Sequence, residues 1–363
     1  MVWSMVRRTW GIPGALCLGL AAFLACLDGG VAVAQSGDRV VTAKRTFAGK
    51  VVAVSPNDID LEDRDGKAEK IPIDQVREVQ FDDEPQSLRS ARSMLLRGRS
   101  ADALEEIGKV TPQDLEGAEQ LLLDDIEFVK AAAAGRTALA SGGNPADAGK
   151  LVNEFLTKHP KSHHFYLMQE LLGNLLARAG KLENAQAAYA QVVKGPAAFK
   201  VRAASAKAAM FFDQKKYDEA FKEFENAISI EAGDDASLEQ KRGAELGKAR
   251  CLVQQGKQDQ ATELLQKVIK QADPEEKELL SRAYNVLGAA YRAAGGSRDQ
   301  DALIAFLTVD LVYNSVPESH AEALFNLGEL WERGKNPERA REARQSLETT
   351  YPGSPWTKKA SSG

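Results

Sequence analysis

Ala103, Ala148, Ala185, Ala220, Ala261, Ala302 and Ala340 recur at intervals of 35 to 45 residues. Each stands in the same setting: a helical stretch, a break rich in Gly, Lys or Asn, and a second helical stretch that contains the alanine. No such unit can bury its apolar face alone, so the chain must stack its units into a row. That requirement excludes most compact single-core folds. Stacks of this kind mostly present surfaces to other molecules, and an enzyme is not expected.

Before the repeats, residues 39–84 read as a small β module. Phe47–Val54 has strand character and Pro56-Asn57-Asp58 marks a turn. Ile59 and Leu61 alternate with Asp58, Asp60 and Glu62, the period of a half-buried strand. Asp65-Gly66 signals a hairpin, Ile71 and Ile73 continue the alternation, and Val79 and Phe81 close it. Pro72 cannot donate to a ladder and points to an edge strand. The order G-x-V, I-x-L, Gly, I-P, V-x-x-V-x-F resembles an Sm-like or SH3-like barrel. Sm-like proteins often bind RNA, but this segment carries more acidic than basic residues, and nucleic acid is not an expected partner.

The first 34 residues set an expectation of export. Arg7 and Arg8 precede an apolar run from Ile12 to Leu27, and Ala32-Val33-Ala34 follows. That arrangement reads as a secretory signal over 1–34, cut before Gln35. The run is too short for a spanning helix, which wants about 20 residues, and no membrane span is expected after cleavage. The rival reading is a lipoprotein signal anchored at Cys26. The expected compartment is the periplasm. Without residues 1–34 the chain carries 45 basic and 51 acidic residues, a net charge of −6, which disfavours nonspecific nucleic-acid or anionic-membrane binding. Cys251 is then the single cysteine left, so packing and not disulfides must stabilise the fold. It reads as a buried, inert thiol.

The repeats are the most specific signal. Leu172-Gly173, Leu287-Gly288 and Leu327-Gly328 are each followed three residues later by a large side chain, Leu176, Tyr291 and Trp331. Second helices show Ala185 with Tyr189, Ala220 with Phe224 and Ala227, and Ala302 with Phe306. Small residues let two helices approach, and large ones fill the next turn. The pattern L-G-x-x-Y, Gly, A-x-x-x-F, Pro resembles the tetratricopeptide repeat family over about 87–356. It fits best at 281–317 and 321–352. Lys207 and Lys248 fall where the pattern wants an apolar residue. Arg344 stands where the last unit wants Phe or Tyr, as in a capping repeat with a polar outer face. Thr111-Pro112, Asn144-Pro145, Asp273-Pro274 and Asn336-Pro337 read as helix starts, with Glu276 completing a capping box after Asp273. His159-Pro160-Lys161-Ser162 and Tyr351-Pro352-Gly353-Ser354 are near copies in which Ser can cap the next helix. This linkage is similar to that of envelope tetratricopeptide proteins of bacteria.

The resemblance implies a mainly α, right-handed α-solenoid of about seven helix pairs behind a small β barrel-like module, with 357–363 as a disordered tail. It also implies a concave groove lined by the first helices. Groove positions counted from the Leu-Gly anchors are Asn174, Arg178, Arg202, Arg250, Arg282, Asn285 and Arg292, with Phe325, Glu329 and Glu332 in the last unit. Five arginines on one face of an acidic protein suit a carboxylate-rich peptide or chain terminus. The alternative is that they pair with acidic residues of neighbouring helices.

No catalytic, cofactor or metal signature is legible. His163 and His164 are adjacent, and on a helix they would point about 100° apart, unable to chelate from one face. His159 and His320 stand alone in inter-repeat turns. The leading function is an exported noncatalytic scaffold for protein–protein contacts. The alternative is a protein that binds a cell-envelope polymer, glycan or cell wall, which the low aromatic content of 7% disfavours.

Overall fold

A computed structural model describes residues 37–361 apart from Gly142. The signal reading over 1–34, with Cys26, lies outside the described residues. Among the described residues no helix is long and apolar enough to cross a membrane.

Five strands come first: β1 (Asp38–Thr42), β2 (Thr46–Val54), β3 (Asp58–Glu62), β4 (Ala68–Pro72) and β5 (Val76–Gln80). They form one antiparallel sheet in the order β4-β3-β2-β1-β5, which puts Pro72 on an edge strand as its missing N–H requires. The long β2 serves two neighbours in turn. Thr46–Gly49 pairs with β1, and Lys50–Val54 pairs with β3. The handover falls at Gly49, where an added Cβ would sit 2.2 Å from the Glu62 carbonyl oxygen, so no side chain fits. Asp63 builds the β3–β4 turn by accepting from the Asp65 and Lys67 amides. Val40, Val51, Ile59, Leu61, Ile71 and Val79 form the buried face, which runs without a break into Leu88, Ala91 and Leu95 of the first helix. A module too small to be robust alone thus shares its core with the repeats.

Seven helix pairs follow. They are α1 (Gln86–Leu96) with α2 (Ser100–Ile107), α3 (Gln120–Ser141) with α4 (Pro145–Lys158), and α5 (Phe165–Arg178) with α6 (Leu182–Val192). Next come α7 (Ala197–Asp213) with α8 (Tyr217–Ser229), α9 (Asp235–Gln254) with α10 (Gln258–Gln271), and α11 (Lys277–Ala294) with α12 (Asp299–Val312). The last pair, α13 (Pro317–Arg333) with α14 (Pro337–Thr350), is capped by α15 (Pro355–Ala360). Every one of the seven recurring alanines is the fourth residue of a second helix, and all seven are buried. The breaks within pairs turn on left-handed residues, Gly180 and Gly256 among them, with Lys215 and Lys335 taking the same conformation.

Small residues on one helix receive aromatic rings from the other. A Cβ added at Gly173 would lie 2.4 Å from the Tyr189 ring, and one at Gly288 would lie 2.6 Å from Phe306. Gly247 meets Phe224 of the preceding pair at 2.2 Å. The two lysines that break the repeat pattern are accommodated by acids on a second helix. Lys207 Nζ is 2.6 Å from Glu223 on α8, and Lys248 Nζ is 3.0 Å from Glu225 on the same helix.

Helix starts are capped as the sequence suggests at three sites and differ at three, since Thr111 precedes only a three-residue 3-10 turn and Ser162 leaves the cap position of α5 to His164. Asn144, Asn336 and Ser354 each accept a backbone N–H of the following turn. Asp273 and Glu276 do exchange bonds with each other's turn, but α11 begins three residues later than Pro274, at Lys277. The box therefore shapes the turn ahead of the helix. Residues 357–360, expected to be part of a disordered tail, are the last four of the six residues of α15. Thr357 is buried there, and its Oγ1 donates to the Tyr351 carbonyl at 2.6 Å.

Asp234 is a further cap, at the start of α9. Its Oδ1 accepts from the Ser237 amide at 2.8 Å, and its Oδ2 from the Ser237 hydroxyl at 2.7 Å. Burial opposes the charged form, but these bonds win and hold the carboxyl below its ordinary value. Such a group stabilises the fold above its unfolded pKa and loses that contribution as pH falls through the lower folded value. Asp234→Ala should cost about 1 kcal/mol at neutral pH. In urea melts the gap between wild type and variant should close below about pH 4; a gap that persists at pH 2 would contradict the capping account.

Candidate partner-binding groove

The inner layer is made by α1, α3, α5, α7, α9, α11 and α13, each packed on the next, while every second helix packs on its own partner and on the following first helix. Polar side chains bridge the seams of this layer. Arg202 Nε donates to Glu170 Oε2 at 2.6 Å, and Arg242 pairs with Glu276. Asn285 Nδ2 donates to the Ser319 carbonyl at 2.8 Å, the Ser281 and Ser319 hydroxyls bond at 3.0 Å, and Arg292 Nη1 donates to Asn326 Oδ1 at 2.7 Å. Partners lie 32 to 38 residues apart, about one repeat.

These bonds divide the predicted groove residues. Arg202 and Arg292 are spent on Glu170 and Asn326, and Asn285 is buried in the seam beside Glu322, its Oδ1 left without a hydrogen bond. Asn174 faces inward to its own pair, where Tyr189 Oη donates to its Oδ1 at 2.8 Å. Arg178, Arg250 and Arg282 are exposed, and none forms an ion pair among the described residues. Arg250 rests over the Phe212 ring at 4.5 Å. In the last pair the groove reading fails. Phe325 is covered by Trp356 and Lys359 of α15, and Glu329 and Glu332 pair with Arg344 of α14. A capping helix and a polar capping repeat claim those faces.

Two residues that sequence reading missed report the shape of the surface. Arg136 on α3 is exposed, yet the protein around it lowers its pKa, with Arg202 adding to the effect and Glu170 and Glu278 opposing it. Those neighbours lie on α5, α7 and α11, so charges of three other pairs act on this one guanidinium. Glu322 on α13 behaves as the mirror image. Burial raises its carboxyl, while Arg250, Arg282 and Lys359 pull it back. Arg250 and Arg282 thus share one carboxylate's neighbourhood although 32 residues separate them. A polar partner one repeat downstream is the signal that could have found the seam. Nothing local marks Arg136 or Glu322.

The β module reaches along the same side. Tyr166 Oη, at the start of α5, donates to Asn57 Oδ1 at 3.2 Å, and Lys50 pairs with Glu119 ahead of α3 at 2.7 Å. Lys44 and Arg77 pair with Asp235 and Glu239 of α9 at 2.6 and 4.0 Å. Cys251 is fully buried, and burial pushes its thiol up to about 11, so it is an inert packing group.

Comparisons agree with this architecture. Models of the tetratricopeptide repeat match residues 170–237 and 300–355, and a second such model matches 244–274. No protein of curated function matches. The apo quorum sensor NprR from B. thuringiensis is 15% identical, with 73% of this chain and 75% of that one covered, at a TM-score of 0.51. A Rap protein complexed with Competence and Sporulation Factor is 15% identical, with 74% and 76% covered, at 0.50. At such identity the likeness speaks for the fold alone. With seven helix pairs, a buried alanine at the same helical position in each, and repeat models matched in the third to seventh, the repeats within residues 170–355 are of the tetratricopeptide family.

Proposed function

We propose that the protein is an exported, noncatalytic scaffold whose inner surface takes an acidic peptide segment or chain terminus of a partner protein. The observation that carries this is the pair Arg250 and Arg282: exposed, without an ion-pair partner among the described residues, and close enough to act on one carboxylate, Glu322. Two guanidinium forks on a concave wall suit a carboxylate better than a lysine pair would. The surrounding protein strengthens the attraction by excluding part of the solvent. Export rests on the basic, apolar and A-x-A succession in residues 1–34, and N-terminal sequencing of the chain recovered from the periplasm tests it at Gln35. A glycan or wall polymer fits less well. Among the described residues every Phe, Tyr and Trp is buried or half-buried, which offers little platform for stacking on sugar rings.

Charge reversal at both positions, Arg250→Glu with Arg282→Glu, should weaken binding of a fluorescent Asp/Glu-rich peptide by more than about tenfold, since each charged hydrogen bond is worth about 1.5–3 kcal/mol. Binding by the wild type should also fall with added salt. Unchanged anisotropy titrations in a variant with native helicity would overturn the reading, as would wild-type binding that is equally tight for a neutral peptide.

A further inference from the structure

Where the β module meets the second and third helix pairs, a cluster of ionisable side chains lies inside the protein. Asp125 is on α3, and His163 and His164 occupy the turn before α5. The expectation that the two histidines diverge fails because neither is inside a helix. Ser162 tightens the turn by accepting the His164 amide on its hydroxyl at 3.1 Å and the Phe165 amide on its carbonyl at 3.0 Å. The two imidazoles then converge, their centroids 3.8 Å apart. One ligand atom from each of Asp125, His163 and His164 lies within 4.8 Å of the other two.

The surroundings hold these donors in place. Phe128 stacks on His164 with centroids 3.4 Å apart, which fixes that ring. His164 Nε2 is 2.9 Å from Asp125 Oδ1, and Arg92 holds the opposite oxygen, Oδ2, at 2.5 Å. Arg92 does not cancel the negative charge, because it also serves Glu84 at 2.8 Å and Glu78 at 3.7 Å. The informative atom is His163 Nε2. The residue is 6% exposed, and this nitrogen has no hydrogen-bond partner. A buried polar atom left unpaired costs about 1–3 kcal/mol, and here it stands beside an imidazole and a carboxylate that are already positioned. Burial keeps both imidazoles below their ordinary pKa, in the neutral form that ligates.

We propose that Asp125, His163 and His164 bind one divalent transition-metal ion of the Zn²⁺ class and so tie α3 to the turn that starts α5. Two imidazoles and one carboxylate are a donor set for Zn²⁺, Co²⁺ or Ni²⁺. Mg²⁺ and Ca²⁺, which want oxygen ligands, do not suit it. The ion would stand where the second and third helix pairs meet, beside Arg92 and its contact with Glu78 of the module, and its role would be to lock that junction.

The test uses the full chain, stripped with chelator and titrated with Co²⁺ alone, read by visible d–d absorption and by metal content. The expected result is one Co²⁺ per chain with tetrahedral bands and a raised melting temperature. His163→Gln removes only the unpaired donor and should leave helicity intact while weakening Co²⁺ uptake by more than about tenfold. A variant with His159→Gln and His320→Gln, whose rings sit on other carboxylates, should bind as wild type does. No stoichiometric uptake, uptake unchanged by His163→Gln, or uptake lost only in the double control would each overturn the proposal.

Discussion

Arg92→Ala is expected to be the most damaging single substitution in the chain, costing about 3–5 kcal/mol. Arg92 lies on α1 with 5% of its side chain exposed, and it bonds Glu84 after the β module and Asp125 on α3. The two carboxylates are buried as deeply as the guanidinium. Asp125 is held well below the ordinary carboxyl range in spite of its burial, with the Arg92 charge foremost among the causes. Truncation at Arg92 would leave Asp125 buried without its guanidinium and Glu84 with Arg89 alone, and the penalty is the cost of keeping these carboxylates ionised or protonating them. The measurement is the urea midpoint, with hydrogen exchange to locate the effect in α1 and α3. The control is Arg92→Met combined with Glu84→Gln and Asp125→Asn, which removes the charges together and should recover part of the loss. A loss below about 1 kcal/mol for Arg92→Ala would mean that the network is not what joins module to repeats.

The second large effect belongs to Phe306→Ala, at about 3–5 kcal/mol. Phe306 on α12 is fully buried, and its ring lies where a Cβ on Gly288 would be. The two positions form one joint, so their substitutions must couple. Gly288→Ala alone should cost about 1–3 kcal/mol through overpacking. Adding Phe306→Leu should then cost less than it does in the wild-type background. Thermal and urea melts of the four proteins close the cycle, and simple additivity would show that ring and glycine do not share the space.

Most of the architecture was legible because it repeats. The seven alanines mark second helices through one cause acting seven times: a small residue is needed at the fourth position, where two helices cross. The glycine–aromatic pairs were readable for the same reason. The groove was harder. Arg202, Arg250 and Arg292 look alike in the sequence, and what separates them is whether an acceptor stands one repeat away, as Glu170 and Asn326 do and as nothing does for Arg250. Phe325 was misread because the end of α15, with Lys359 over its ring, was taken for tail. The histidine pair was misread through a helix start placed two residues early. In a helix neighbouring side chains diverge, but in the Ser162 turn they meet.

The contacts of Lys44 and Arg77 with α9 have a mechanical meaning. A solenoid is a row of hinges, and a row of hinges is compliant. The module is joined by a shared core to the first pairs and by two surface charge pairs to the fifth, so it lies like a string across a bow. Opening the arc at the fifth pair would separate these two charge pairs. That end is held by exposed ions at 2.6 and 4.0 Å, which salt screens, while the other end is fixed by packing that salt strengthens. Raising the ionic strength should therefore loosen that end first and let the inner wall open more easily there.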